Sequence, residues 1–247
     1  MALALIDLLW RHHPDAQRPS RRGPQSSRST DEVVVAALSM ADRGGIESLR
    51  MRELADQLGM STMSMYTYVG SREDLLALMI DAALAGYPVP GYGRAGWRSR
   101  VRRTAEANLT LYRDRPWLLD VADDRTAVGP GTIAKYDHEL QCFDGTALSD
   151  VERDAALTYL LGFVQGTARD ARRQQVASSA DVMLEFWQQS AGPLGNFLAD
   201  NPFPLAARVG QAAGQEMNAA FSAGHAYRFG LTMLIDGLER LISERAR

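Results

Sequence analysis

Cysteine and lysine are almost absent from this sequence of 247 residues. Cys142 is the single cysteine, so no disulfide bond can form within the chain, and no cysteine and histidine residues have the spacing of a zinc site. Of the 27 basic side chains, only Lys135 is a lysine. Low cysteine use is typical of a reducing compartment, and we therefore expect a cytoplasmic protein with no metal or other cofactor.

Long hydrophobic runs are also missing. No stretch approaches the roughly 20 apolar residues that a membrane-spanning helix needs. Residues 1–10 are apolar, but they contain Asp7 and lack the basic start of a signal peptide. The composition, 46% hydrophobic and 23% charged, is that of a globular protein. We expect neither membrane insertion nor export, and partners inside the cell.

The sequence lacks the common catalytic motifs. It has no Gly-x-Ser-x-Gly turn, no glycine loop that would hold a phosphate, and no metal-ligand spacing. Catalysis would need a nucleophile with a base, or paired carboxylates, in one site. We therefore do not expect an enzyme. Turnover of a compound by the purified protein would support that alternative.

Charge is unevenly distributed along the chain. Residues 1–30 hold five arginines against two acids, whereas residues 31–86 hold four arginines against nine acids. Residues 11–30 are rich in arginine, serine and proline and have little apolar surface to bury. We predict a flexible arginine-rich arm over residues 1–29. The alternatives are a solvated tail without contacts, or a misassigned start codon.

Helical periodicity predicts an all-α fold. A Ser29-x-x-Glu32 capping box begins the first long helix, and no strand-like alternation competes. The Pro/Gly stretch 87–91 predicts a boundary between a three-helix domain at 30–86 and a larger helical domain at 92–247. Within the larger domain we predict helices at 95–114, 116–124, 131–143, 150–175, 181–200 and 219–244.

Residues 50–70 have the pattern of a helix-turn-helix. Gly59 stands at the tight turn, and Leu54, Leu58 and Met65 supply the apolar positions that lock two helices together. The second helix then exposes polar side chains. Its candidates for DNA contact are Thr62, Ser64 and Thr67.

This region contains the segment Leu54-Ala55-x-x-Leu58-Gly59-Met60-Ser61-x-x-x-Met65-Tyr66-x-Tyr68-Val69-x-Ser71-Arg72-x-x-Leu75-Leu76. The segment resembles the DNA-binding motif of the tetracycline-repressor (TetR) family. The resemblance implies that Arg52, Thr62, Met63 and Ser64 face the bases, and that Tyr66, Tyr68 and Arg72 hold phosphates. Two positions depart from the family pattern, since Arg72 replaces a usual lysine and Gly70 a polar or basic residue. Fewer charges predict a shallower dependence of affinity on salt.

The basic arm offers a second contact with DNA. We predict that Arg21 and Arg22 enter the minor groove, as arginine-bearing arms of other proteins do. A branch of the family, the simocyclinone repressors, is similar in having such an extension and a segment like Trp187-x-x-Ser190-x-Gly192-Pro193.

The C-terminal region contains the segment Tyr227-Arg228-Phe229-Gly230-Leu231-x-x-Leu234-Ile235-Asp236-Gly237-Leu238-x-x-Leu241-Ile242. This segment resembles the last helix of a TetR subgroup. The resemblance implies a homodimer in which helices at about 150–172 and 219–244 form a four-helix interface.

The resemblance also implies a small-molecule pocket in the larger domain. Pockets are mostly apolar with a few polar groups. The candidates of these types are Trp97, Tyr112, Trp117, His138, Phe163, Gln165, Arg169 and Trp187. The alternative for each aromatic residue is an ordinary core position, and for His138 a structural or surface position.

The resemblance therefore predicts a ligand-responsive transcriptional regulator. We expect a repressor that binds a near-palindromic site on double-stranded DNA and leaves it when a small hydrophobic metabolite or antibiotic binds. The rival is a ligand-binding helical dimer whose DNA-binding region has lost its function. Such a dimer would bind a small molecule and show no sequence preference on DNA.

Overall fold

A computed structural model describes residues 4–16, 28–121, 128–178, 189–190, 192–193, 195–197, 203–217 and 221–246. All regular secondary structure in these residues is helical, as predicted, and none of them forms a strand. The chain divides into two compact units, Met1–Gly145 and Thr146–Arg247. Each unit is described by itself.

The first unit contains seven α-helices in the described ranges. They are α1 (Leu5–Leu9), α2 (Thr30–Gly44), α3 (Met51–Gln57), α4 (Thr62–Val69), α5 (Arg72–Ala85), α6 (Trp97–Asp114) and α7 (Pro130–Leu140). Three 3₁₀ turns accompany them, at Ile46–Ser48, Pro116–Leu119 and Gln141–Phe143. The second unit contains α8 (Asp150–Ser178), α9 (Pro204–Met217) and α10 (Ala223–Arg245).

Serine caps begin the helices of the predicted DNA-binding region, which we call the head (residues 30–86). The hydroxyl oxygens of Ser29, Ser61 and Ser71 each accept the backbone N–H three residues later. A side-chain cap of this kind satisfies one of the four free N–H groups at a helix start. Gly59, between α3 and α4, has a φ of +67°, which a residue with a Cβ rarely adopts. The three-helix arrangement of α2, α3 and α4 is the predicted helix-turn-helix.

The core of the head is completed by residues from outside it. Leu54, Met65 and Leu75 are fully buried there, and Trp117, from the 3₁₀ turn after α6, is buried in the same cluster. The Trp117 indole Nε1 donates to Asp42 Oδ1 at 2.7 Å. Arg115 Nε lies 3.6 Å from the same oxygen. The turn after α6 is therefore fixed to the end of α2.

Helix α7 packs closely on α5. The buried carboxylate of Asp81 accepts the Thr132 backbone N–H at 2.8 Å and the Thr132 hydroxyl at 3.0 Å. This carboxylate caps the first turn of α7, where the helix dipole favours a negative charge. A Cβ added to Gly131 would overlap the Asp81 carbonyl oxygen and lie 2.7 Å from Ala85 Cβ. Only glycine allows this close approach.

The structure differs from the sequence prediction at the N-terminus. Residues 5–9 of the expected flexible arm form α1, because Leu8 and Leu9 bury their side chains in the head core. The compact first unit continues beyond residues 87–91, because Trp117 bonds to Asp42 and Thr132 to Asp81 of the head, and the domain boundary expected at 87–91 stays a prediction.

Some predicted helices also have different extents. Instead of a helix over 116–124, the structure has a 3₁₀ turn at Pro116–Leu119. Helix α9 was not predicted, and the prediction of a helix over 181–200 lies largely outside the described residues, although 189–190, 192–193 and 195–197 are helical.

The second unit is built on a helix pair. Helices α8 and α10 pack through Leu157, Leu160 and Val164 on one side and Leu231 and Ile235 on the other, all of them buried. The Phe163 ring lies against Gly230, where a Cβ would approach the ring to 2.5 Å, and it stacks on Tyr227 at a centroid distance of 5.8 Å. Where the start of α8 meets the end of α10, Arg245 Nε donates to Glu152 Oε1 at 2.9 Å.

Candidate nucleic-acid interface and effector residues

Helix α4 has one buried face and one exposed face. Met65 and Val69 are fully buried, whereas Met63 is 78% exposed. Ser64 and Thr67 lie exposed beside Met63, and Thr62 is partly exposed. Met63 lies in the first turn of α4, and a methionine exposed to water there contributes nothing to the fold. Its position suits contact with a thymine methyl group in a major groove.

The hydroxyl groups on this face are already oriented by the helix. Thr67 Oγ1 donates to the Ser64 carbonyl at 2.6 Å, which leaves its oxygen available as an acceptor. The Ser61 and Ser64 hydroxyl oxygens lie 2.8 Å apart, and Ser61 caps the helix. The structure brings Thr62, Met63, Ser64 and Thr67 together on one surface, as the sequence predicts.

The predicted phosphate-binding residues lie at the edges of this surface. Tyr66 and Tyr68 are partly exposed on α4, and Arg72 is partly exposed at the start of α5. The Thr30 hydroxyl donates to the Tyr68 carbonyl at 2.9 Å, and this bond ties the start of α2 to the last turn of α4. Arg52 is exposed on α3.

Arg21, Arg22 and Trp187 lie outside the described residues. The contacts predicted for these three residues therefore remain predictions.

The aromatic residues predicted for an effector pocket have different surroundings in the first unit. Trp117 is 1% exposed and belongs to the head core. His138 stacks on Tyr92 at 4.8 Å, and its Nε2 is 2.8 Å from the Pro90 carbonyl oxygen. Trp97 is half-buried with the Arg98 guanidinium 4.8 Å above its ring, and Tyr112 is half-buried on α6. Trp117 thus has a structural position, and His138 is held by the 87–91 linker.

A buried polar network, which the sequence did not predict, joins α6 and α7. Glu139 Oε1 accepts from Lys135 Nζ at 2.7 Å and from Asn108 Nδ2 at 2.5 Å, and Lys135 Nζ also donates to Asn108 Oδ1 at 2.9 Å. Glu139 and Asn108 are almost fully buried. The spacing of Lys135 and Glu139 by four residues was visible in the sequence, but nothing there placed Asn108 beside them.

Burial also governs the titrating groups next to this network. Burial raises the pKa of Tyr92 to about 12, and the hydroxyl of Tyr92 lies 2.7 Å from Thr104 Oγ1. Burial raises the pKa of the Cys142 thiol to about 12 as well. Both groups are therefore neutral at physiological pH, and Cys142 has no thiolate character.

A cavity of about 10 Å³ lies between this network and the linker. Its walls include Leu84, Tyr87, Pro90, Leu111 and Lys135. That volume holds about one water molecule, whereas a drug-sized ligand occupies some 300–1,000 Å³.

The second unit presents an open apolar groove of about 390 Å³. Tyr159 and Met233 are 69% and 60% exposed on its sides, and Gly237 is exposed between them. Phe163, predicted to contact an effector, lies in this groove, while Gln165 is half-buried and Arg169 exposed on α8. The groove residues repeat at helical spacing on α8 and α10, so they form one continuous face.

No helix in the described ranges is long and apolar enough to cross a bilayer. Among the described residues, no three His, Cys, Asp or Glu side chains are grouped as a metal site would require.

Several curated proteins are similar to this chain. It is 34% identical over 244 residues to the HTH-type transcriptional repressor DrrR1 of Streptomyces coeruleorubidus, covering 97% of this chain and 86% of that protein. It is 24% identical over 225 residues to the class E tetracycline repressor protein of Escherichia coli, covering 88% of this chain and 93% of that protein.

A solved structure shares the fold over most of the chain. The Streptomyces coelicolor protein ActR, in complex with actinorhodin, superimposes with a TM-score of 0.71 at 25% identity, covering 87% of this chain and 98% of that chain.

The family comparison agrees with the positions of the helices. Residues 33–79, which contain the helix-turn-helix, match the family described as bacterial regulatory proteins, tetR family. Residues 89–242, which contain α6 to α10, match the tetracyclin repressor-like C-terminal domain. With an N-terminal helix-turn-helix of this geometry and a match over most of its length, the chain belongs to the TetR family of bacterial transcriptional regulators.

Proposed function

We propose that this protein is a repressor that binds a near-palindromic operator as a homodimer and releases it when a small hydrophobic metabolite binds. The observation that carries the proposal is the exposed face of α4, with Met63 at its centre and Ser64 and Thr67 beside it. Two such helices, one from each protomer, would enter successive major grooves about one helical turn apart.

The groove on α8 and α10 supports the homodimer. Tyr159 and Met233 expose large apolar surfaces there, and exposed apolar patches commonly mark protein interfaces. Gly162 and Gly237 are exposed on the two helices, and small residues allow close approach of helices from a second protomer. We assign the occupant of the groove as a second copy of this chain.

The effector is proposed by similarity. ActR binds actinorhodin, and DrrR1 is a repressor. A relation to the simocyclinone-repressor branch stays a prediction, and so do the effector contacts of Trp97, Tyr112, His138, Phe163, Gln165, Arg169 and Trp187. For release, the effector must prefer the conformation that does not bind DNA, and a tenfold loss of affinity needs about 1.4 kcal/mol of such preference.

The test is selection of the purified protein from a random duplex library, followed by titration of the enriched sequence. We expect a near-palindrome to be enriched. Met63→Ala should weaken binding to that sequence by about tenfold or more, with little change on an unrelated duplex, because it removes a base contact. Val35→Ala is the matched control, since Val35 is an exposed apolar residue on α2 rather than α4. Absence of any enriched sequence would contradict the DNA-binding function.

The response to an effector is tested with actinorhodin as the first probe. A rise in the operator Kd when actinorhodin is added would support ligand-responsive release. Binding of actinorhodin that leaves the operator Kd unchanged would contradict the coupling between ligand and DNA.

The predicted minor-groove contact has its own test. Because Leu8 and Leu9 are buried in the head, deletion of residues 1–28 would disturb the fold. Arg21→Ala combined with Arg22→Ala is the better variant. If both arginines contact phosphates, the slope of log K against log salt should decrease by about 1.8. An unchanged slope would mean that they make no such contact.

A further inference from the structure

Helix α1 is an addition to the part of the chain that the family comparison covers. The matched regions are residues 33–79 and 89–242, whereas α1 spans Leu5–Leu9. A helix of five residues has no stability of its own in water, so its position is set by packing. Leu8 and Leu9 are 2% and 3% exposed in the head core. Helix α1 therefore packs into the core of the head.

Helix α1 approaches the end of the DNA-reading helix with an apolar side chain. Gly70 ends α4 with a φ of +75°, and its backbone N–H donates to the Tyr66 carbonyl at 2.9 Å. Leu8 Cδ1 lies 3.8 Å from the place that a Cβ on Gly70 would take. Helix α1 packs mainly on α5, and Leu8 lies beside the turn that joins α4 to α5.

The second contact is polar and runs through α2. Arg11 Nε donates to Asp31 Oδ1 at 3.0 Å, and Arg11 Nη1 donates to the Leu8 carbonyl at 2.8 Å. His12 Nε2 lies 3.1 Å from the same Asp31 oxygen. Asp31 follows Thr30, whose hydroxyl donates to the Tyr68 carbonyl in the last turn of α4. Through this second route, α1 again reaches the C-terminal end of α4.

We propose that α1 and the turn after it, through Leu8 and Arg11, position the C-terminal end of the DNA-reading helix α4 and thereby raise the affinity for the operator. The proposal rests on the proposed function, because it takes α4 as the helix that reads DNA. Leu8, Arg11 and Asp31 are positioning residues in it, and none of them needs to touch DNA. A helix of eight residues is stable only when contacts fix its ends. Loss of the contacts at its C-terminal end would let Tyr66, Thr67 and Tyr68 adopt a wider range of orientations.

The change in DNA affinity on substituting Asp31 distinguishes two roles for its carboxylate, because they predict changes in opposite directions. Burial raises the pKa of Asp31, but hydrogen bonds from Arg11 and His12 outweigh that effect and leave the pKa below its ordinary value, so the group is negative at neutral pH. If Asp31 acts only as a charge near DNA, Asp31→Asn should strengthen binding by removing repulsion from phosphates. If Asp31 receives Arg11 in order to hold α1, the same change should weaken binding. We expect a loss of about threefold to fivefold.

Glu32 provides the matched control. It lies next to Asp31 in the first turn of α2 and pairs with Arg28, 3.4 Å away, rather than with α1. Glu32→Gln removes the same charge from the same helix end, and we expect unchanged or slightly tighter binding. Equal or tighter binding by Asp31→Asn, in line with Glu32→Gln, would overturn the proposal.

Arg11→Ala tests the other side of the pair. We expect the same loss as for Asp31→Asn, with an unchanged salt slope, and no further loss in the double variant, because the two residues act through each other. A decrease of about 0.9 in the slope would instead mean that Arg11 neutralises a phosphate directly, and would overturn a purely positioning role. Circular dichroism must show all variants fully folded at the temperature of the titration.

A measurement without DNA separates this proposal from the proposed function. Hydrogen exchange of the amides at Tyr68, Val69 and Gly70 should be faster in Asp31→Asn and Arg11→Ala than in the wild type, and unchanged in Glu32→Gln. Unchanged exchange in all variants would overturn the proposal even if the operator is found. If no operator is enriched but exchange rises as expected, the proposed function fails while α1 still positions α4.

Discussion

Two methionines of α4 have opposite surroundings. Met63 and Met65 are two residues apart on α4, yet one is 78% exposed and the other fully buried. Helical spacing and the family resemblance predicted this difference. The position of Trp117, in contrast, could not be predicted from the sequence. The sequence placed it among pocket candidates, and its contact with Asp42, 75 residues earlier, could only come from the folded chain.

Trp117→Ala should be among the most destabilising single changes in the first unit. It removes a fully buried indole and leaves a cavity in the head core, which costs about 3–5 kcal/mol. Trp117→Phe should cost less, because it retains most of the apolar volume and Arg115 still pairs with Asp42. Urea unfolding measures both values.

Trp97→Ala is the control for this prediction. Trp97 is half-buried on α6, so its removal should cost less than half as much. A similar loss of stability in Trp117→Ala and Trp97→Ala would contradict the assignment of Trp117 to the head core.

Whole elements follow from the sequence where caps and periodicity agree. Helices α2, α4 and α5 each begin at a serine cap that the sequence displays, and each shows apolar residues at helical spacing. Helix α9 was missed because Gly210 and Gly214 lower its helix propensity and none of its described side chains is buried. Helix α1 was missed because five residues contain too little periodicity to identify a helix.

The contact between α5 and α7 predicts a large effect at one glycine. Gly131→Ala would place a methyl group against the backbone of α5, where the Asp81 carbonyl and Ala85 cannot move aside easily. We expect a loss of about 1–3 kcal/mol in the free energy of unfolding. Gly96→Ala is the control, since Gly96 has a φ of −69° and open space around it. Equal stability of the two variants would contradict a close α5–α7 contact.

The helix pair of the second unit should lose a stabilising contact in acid. The Ser149 backbone N–H and the Arg245 guanidinium donate to Glu152 and lower its pKa to about 2, from an ordinary value of 4.5. Because the folded pKa is lower than the unfolded one, this stabilisation is complete above about pH 4.5 and is lost as the pH falls towards 2.

Glu152→Gln should therefore be less stable than the wild type at about pH 6, and the difference should shrink steadily in acid. Thermal unfolding at a series of pH values measures it. Glu244→Gln is the control, because Glu244 pairs with Arg240 within α10 and does not join two helices. A difference for Glu152→Gln that is constant with pH would contradict the ion pair with Arg245.

For the whole molecule, the groove on α8 and α10 predicts the oligomeric state. Tyr159→Glu or Met233→Glu would place an unpaired carboxylate in the interface, at a cost of several kcal/mol. We expect the dimer Kd to rise by about 100-fold or more, and operator affinity to fall with it. Sedimentation velocity measures the dimer.

Val35→Glu is the control, because Val35 is an exposed apolar residue of the first unit, outside the groove. Its dimer Kd should match that of the wild type. A wild-type protein that is monomeric at all concentrations would contradict the homodimer.

The sequence by itself determined the all-helical class, the positions of the head helices and the face of α4 that is left exposed, because caps, turn glycines and helical periodicity are local properties. Only the tertiary structure decided that Trp117 packs in the head core, that α7 packs on α5 through Asp81, that Lys135 and Glu139 share Asn108, and that Leu8 of α1 lies beside the end of α4. These contacts join residues far apart in sequence. Their energies depend on packing and burial in three dimensions, which no local pattern records.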